Sequence, residues 1–202
     1  MLTAPKPQSS FEVIPAGSYV ARLYSIIEIG TEFFEYMGEK KSSKKIRFTF
    51  ELPTEMKVFK EENGEQPYVL SIEYGFSMHP KSKLRPMVEN WLGKKFTDDD
   101  AYLFDIESLI GKECLLSVVH DSKGENTYAN ISNISPVPKG MKCPDPFNPP
   151  FSLNYQNWDQ VAFDSLPDFI KDKMKKTPEF GLFSKTTDEE ISVEEANELM
   201  KK

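Results

Sequence analysis

The chain has 202 residues, 39% of them hydrophobic and 28% charged, enough to bury one ordinary core with appendages. No apolar run approaches the roughly 20 residues that span a bilayer. The opening Met1-Leu2-Thr3-Ala4-Pro5-Lys6 lacks the apolar stretch of a secretion signal. The net charge of −7 excludes a uniformly basic surface, yet residues 14–140 carry 16 basic against 19 acidic side chains and residues 141–202 carry 8 against 12.

Residues 1–13, rich in Pro and Ser, read as a flexible arm. Pro15-Ala16-Gly17 turns into a first strand, Ser18 to Gly30. One face carries Tyr19, Ala21, Leu23, Ser25, Ile27 and Ile29, the other Val20, Arg22, Tyr24, Ile26 and Glu28. Apolar residues on both faces imply cover on one side and partial cover on the other. Residues 31–44 read as a loop containing Phe33, Phe34 and Tyr36, followed by Lys40, Lys41 and Lys44.

The second strand, Lys45 to Leu52, alternates Ile46, Phe48, Phe50 and Leu52 against polar residues, and Pro53 ends it. After a turn at Asn63-Gly64, the third strand runs from Tyr68 to Met78, with Gly75 marking a bulge or a close approach. Ser82 caps a helix through Trp91, which Gly93 stops. Thr97-Asp98-Asp99-Asp100 caps a second, short helix. The fourth strand is Glu113 to His120 and the fifth Thr127 to Ser135, joined by a hairpin loop. Residues 142–150 read as a proline-rich linker. Apolar Phe151, Leu153, Tyr155 and Trp158 follow. Residues 166–177 read as an amphipathic helix with Phe169, Ile170 and Met174 on one side, and Ser192 to Lys201 as an acidic helix.

Strand, strand, strand, helix, strand, strand is a mainly β order. It fits the five-stranded Greek-key barrel of the oligonucleotide/oligosaccharide-binding (OB) fold, with its helix between strands 3 and 4. The expected organisation is an arm at 1–13, an OB domain at 14–140, and a linker with an acidic, partly helical extension at 141–202.

Catalysis finds little in this sequence. His79 and His120 have no partner at triad or metal-ligand spacing, and Asp98-Asp99-Asp100 sits where a helix dipole favours acidic residues. No glycine-rich phosphate loop is present, so no enzyme activity, metal or cofactor is expected. Cys114 and Cys143 are too few for a disulfide framework, which fits a cytoplasmic compartment. Aromatic and basic residues do interleave, as single-strand binding requires: bases stack on aromatic faces while Lys and Arg track phosphates. The candidates are Phe33, Phe34, Tyr36, Lys40, Lys41, Lys44, Lys45 and Arg47, with Arg22, Tyr24, Thr49 and Tyr128 on the open surface of the sheet. Lys81, Lys83 and Arg85 stand at the helix entrance, where a solvated helix end is the plainer alternative.

Phe76-Ser77-Met78-His79-Pro80-Lys81-Ser82-Lys83-Leu84-Arg85 and Trp91-Leu92-Gly93-Lys94-Lys95-Phe96 resemble segments of a family of small bacteriophage single-stranded-DNA-binding, replication-associated proteins. So do Leu109-Ile110-Gly111-Lys112, Thr127-Tyr128-Ala129-Asn130-Ile131 and Leu166-Pro167-Asp168-Phe169-Ile170-Lys171. The resemblance covers most of residues 12–180. It implies a non-catalytic OB barrel that coats single-stranded DNA during phage replication or recombination in the host cytoplasm. Its implied partners are replication or recombination proteins through the C-terminal extension, and further copies of the chain. The ending Leu199-Met200-Lys201-Lys202 departs from the aromatic-tipped acidic tail of many such proteins. A protein-interaction adaptor or phage structural component built on the same barrel is the alternative.

Overall fold

Two strands of twenty residues dominate the computed structural model, which describes residues 13–124 and 126–183. They are β1 (Gly17–Tyr36) and β2 (Glu39–Val58), and they meet at a two-residue turn, Met37-Gly38. Both turn residues have positive φ, 52° and 78°, which suits the right-handed twist of a hairpin. β3 (Glu65–Gly75), β4 (Glu113–Lys123) and β5 (Asn126–Ser135) complete an antiparallel path in the order β3-β2-β1-β4-β5. A short β6 (Phe151–Leu153) adds in parallel to Ser25–Ile27 of β1, giving six strands rather than five. β3 and β5 end the path and approach each other, but no ladder joins them among the described residues.

Helix α1 (Leu84–Leu92), helix α2 (Asp98–Tyr102) and a 3-10 turn over residues 106–109 lie between β3 and β4. The N-cap of α1 is Lys83 rather than the expected Ser82, whose Oγ still accepts from Arg85 N, and Gly93 stops the helix in the left-handed conformation (φ 61°), as the sequence predicts. Leu84, Val88 and Trp91 of α1 join Phe48, Phe50, Leu52, Leu116 and Ile134 in the first core. Burying each such large apolar side chain contributes about 1.5–3 kcal/mol. Trp91 Nε1 donates to Glu113 O at 2.8 Å, so the one polar atom of the ring is satisfied.

The strict alternation expected along β1 breaks. Leu23 pairs with Phe50 and Ser25 with Thr49, so Tyr24 is an extra residue and the side-chain period slips there. Ala21, Leu23 and Ile26 therefore enter the first core, whereas Ile27 and Ile29 enter a second one. Helices α3 (Gln160–Asp164) and α4 (Asp168–Met174) supply that second core with Phe163, Ile170 and Met174, joined by Leu166 of the connection between them and Leu153 of β6. Residues 151–183 thus pack back onto β1. Phe169, expected on the apolar side of its helix, is exposed instead.

Three further expectations are corrected. The loop at 31–44 is a continuously paired ribbon from Thr31↔Lys44 to Tyr36↔Glu39. Pro53 does not end β2, because pairing jumps from Leu52↔Tyr68 to Met56↔Pro67 and leaves residues 53–55 as a bulge where no donor is needed. The hairpin of β4 and β5 extends to Lys123↔Asn126. The predicted arm, apart from residue 13, and the predicted helix Ser192 to Lys201 lie outside the described residues.

Gly30 fixes how closely the C-terminal segment approaches. Its φ is 104°, and a Cβ there would lie 2.6 Å from Thr177 Oγ1. Gly30→Ala should therefore lower stability by about 1–3 kcal/mol, the usual cost of a strained backbone conformation with a steric clash. Urea unfolding checks this, and an unchanged midpoint would show that the docking seen here does not hold the fold.

Candidate nucleic-acid interface

The ribbon formed by 31–44 projects the expected stacking residues into solvent. Directly paired residues share a face. Phe33, Ser42, Lys40 and Lys44 therefore lie on one side, and Phe34, Tyr36 and Lys41 on the other. Phe33 is 72% exposed and the turn residue Met37 85%, while Phe34 and Tyr36 are also exposed. Charge on the ribbon is balanced, with Glu32, Glu35 and Glu39 against Lys40, Lys41 and Lys44. Lys41 Nζ sits 3.4 Å from Glu39 and 4.8 Å from the Tyr36 ring centroid. Lys44 pairs with the buried Glu28 and lies 5.6 Å from the Phe76 ring centroid. Lys45 is half-buried opposite Gly75.

The strand face expected to be open is covered. Arg22 donates to Gly111 O (3.0 Å), Glu113 Oε1 (3.2 Å) and Pro144 O (2.7 Å), tying the proline-rich segment to the sheet. Thr49 is buried and Tyr24 half-buried. Glu51 is fully buried, and its carboxylate accepts from Phe147 N (3.1 Å), Asn148 N (2.8 Å) and Asn148 Nδ2 (2.7 Å). Arg47 donates to Glu73 Oε1 at 2.9 Å beneath the Phe169 ring, 5.4 Å from its centroid. Lys173 reaches Glu73 at 2.7 Å and Glu32 at 3.4 Å. Burial of Glu73 favours its protonated form, but Lys173 and Arg47 outweigh this and hold the carboxyl below its ordinary range. Glu179 accepts from Thr31 N (2.9 Å) and Oγ1 (2.6 Å) at the base of the ribbon. There too burial is outweighed, and the carboxyl stays low.

The three basic residues at the helix entrance part company. Lys81 and Lys83 are exposed, whereas Arg85 is buried and donates to Glu89 Oε1 (3.1 Å), Asp98 Oδ1 (2.6 Å) and Phe96 O (2.6 Å). Arg85 locks α1 to α2 and is fully engaged within the protein. Thr97 Oγ1 accepts from Asp100 N and caps α2, and the acidic run fills the first turn, where the helix dipole favours it. Glu89 is held down to about 2, chiefly by the Lys95 ammonium, against burial and with help from Phe96 N and Arg85. His79 Nδ1 accepts from Lys81 N, and His120 Nε2 meets Ile14 O at 2.8 Å. Tyr128 stays exposed on the second hairpin, opposite Asp121.

Among the described residues, no three His, Cys, Asp or Glu side chains are grouped to hold a metal ion. No helix among them is long and apolar enough to cross a membrane. Nothing in the sequence pattern marks exposed Met37, in the hairpin turn, or Tyr102 and Leu103, at the end of α2, because so short an apolar stretch carries no periodic signal. The chain matches no protein-family model and no curated protein.

Two consequences are measurable. Glu51→Ala leaves two backbone N–H groups of the linker without their acceptor, and should cost on the order of 1–3 kcal/mol in urea unfolding. Hydrogen exchange at Phe147 and Asn148 should quicken in that variant, and unchanged exchange would refute the clamp. Glu89 is depressed from 4.5 to about 2, so the unfolded chain binds more protons between those values. Stability should fall as pH drops through that window, and Glu89→Gln should flatten this acid slope in urea midpoints measured across it.

Proposed function

We propose that this protein is a non-catalytic, largely sequence-tolerant single-stranded DNA-binding protein acting in phage replication or recombination. The observation that carries the reading is the ribbon at 31–44, which holds Phe33, Phe34 and Tyr36 in solvent beside lysines. Exposed aromatic rings offer faces on which bases stack, and base–aromatic stacking is worth about 1–3 kcal/mol per base. The strand order β3-β2-β1-β4-β5, with β3 and β5 drawn together and α1 inserted before β4, supports an OB-type barrel. Hairpins between its first two and last two strands are the loops that flank ligands in that fold. The bacteriophage resemblance supplies the biological setting.

The covered face changes which residues take part. Arg22, Arg47 and Arg85 are engaged within the protein, so the reading rests on the ribbon, with Lys81, Lys83 and Tyr128 as flanking contacts. The balanced charge of the ribbon favours one second reading, an adaptor that presents Phe33 and Met37 to another protein.

Fluorescence anisotropy with labelled oligo-dT and a duplex of equal length separates the two. The single strand should bind more tightly. Phe33→Ala combined with Phe34→Ala should weaken it by about 1–3 kcal/mol for each stacked base lost. Replacing Lys40, Lys41, Lys44 and Lys45 by Ala should reduce the salt slope by about 0.7 for each phosphate contact removed. Equal affinity for single strand and duplex, or indifference to both sets of substitutions, leaves the adaptor.

A further inference from the structure

Beside the base of the ribbon lies a cleft of about 520 Å³, and the function proposed above makes no use of it. Its volume falls in the range of small-molecule sites, which runs from about 300 to 1,000 Å³. The floor is apolar, from Ile26, Ile46, Met78 and Leu153. Phe76 and Tyr102 add aromatic walls, and Tyr102 is 61% exposed with its ring free for a partner to cover. Apolar and aromatic walls of this kind suit a flat ring.

Lys44 stands in the lining and belongs to the ribbon face that also bears Lys40 and Phe33. Four residues of extended chain separate the two lysines by about 13 Å. A strand following Lys40, Phe33 and Lys44 is therefore led directly into the cleft.

The polar side of the cleft sets the carboxylates of Asp105 and Glu107 beside the amides of Asn154, Gln156 and Asn157. Asp105 Oδ1 takes Glu107 N at 3.0 Å, and Glu107 Oε1 takes Ser152 Oγ together with Asn154 Nδ2. The second oxygen of each carboxylate has no hydrogen-bond partner among the described residues. Glu28 is already paired with Lys44. The carboxylates repel phosphate, whose place is beside Lys44 at the mouth of the cleft and Lys40 on the ribbon, while a group carrying N–H donors is drawn in. Thymine fits the two carboxylates poorly, since its single N–H is flanked by two carbonyl oxygens. Cytosine and adenine each present an amino group, and carboxylates accept from such groups. Guanine presents an amino group and a ring N–H side by side.

We propose that the cleft is a base-selective subsite for one amine-bearing nucleobase, guanine above the others. Phe76 and Tyr102 lie against the ring, and Asp105 and Glu107 accept its amino hydrogens. The inference rests on the single-strand reading and adds a local preference to it.

The test uses the full chain and two labelled oligonucleotides of about fifteen nucleotides, within the site size of such proteins. One is all thymidine, and the other carries a single central deoxyguanosine. The guanine-containing strand should bind at least about fivefold more tightly, the low end for one good carboxylate–base pair. The Asp105→Asn, Glu107→Gln double variant should bind the two alike, and Tyr102→Ala, at an exposed side chain, should shrink the difference. Thermal unfolding of both variants confirms that they fold. If the double variant does not, Tyr102→Ala decides the matter alone. Equal wild-type affinity for the two strands, or a preference that survives the substitutions, overturns the subsite and leaves the single-strand reading standing. Binding to neither strand overturns both.

Discussion

The rest of the structure depends on the irregular pairing of β1 at Tyr24. Upstream of it, Ala21 and Leu23 serve the first core. Downstream, Ile26 does so, and Ile27 and Ile29 serve the second. A strand of strict two-residue period would have placed Leu23 and Ile27 on one face. The slip gives a single strand two apolar faces along adjacent stretches, and each demands its own cover. The sheet and α1 cover one, and residues 151–183 cover the other. Gly30 then lets Thr177 approach to a distance that no side chain at that position would permit.

That second cover decides what the outer face of β2 can do. Arg47, Thr49 and Glu51 alternate with the core residues and would face solvent on a bare sheet. Beneath the wrap, each needs a partner, because a buried charge without one is strongly destabilising. Glu51 finds three N–H donors in the linker, and Arg47 finds Glu73 and the Phe169 ring. These polar residues fasten the extension to the sheet. The parts that project beyond the wrap are the two hairpins, where the proposed contacts lie.

On the first hairpin the lysines are held loosely. Lys44 is the exception, since it answers the buried Glu28. Lys41 pairs with Glu39 where both ends are exposed, and ion pairs in water contribute only about 0–1 kcal/mol. Exchanging such a carboxylate for a phosphate therefore costs little. The rings of Phe33, Phe34 and Tyr36 are constrained more firmly, because a paired ribbon fixes which face each one occupies.

By itself, the sequence determined the local elements and the first core. Ile46, Phe48, Phe50 and Leu52 alternate without a break, Leu84, Val88 and Trp91 recur at helical spacing, and Gly93 stops the helix. Each of these signals lies within a few residues and needs no distant partner. Phe33, Phe34 and Tyr36 were legible as a cluster for the same reason, although the type I′-like turn at Met37-Gly38 lacks the usual Asn-Gly signature and hid the ribbon. What only the tertiary structure decided involves residues far apart in the chain. It set the register slip at Tyr24, the closure of 151–183 over Ile27 and Ile29, the burial of Glu51, and the engagement of Arg22, Arg47 and Arg85. An arginine is written the same way whether it awaits a phosphate or holds a carbonyl more than a hundred residues away. Only the packing of both segments fixes which of the two it does.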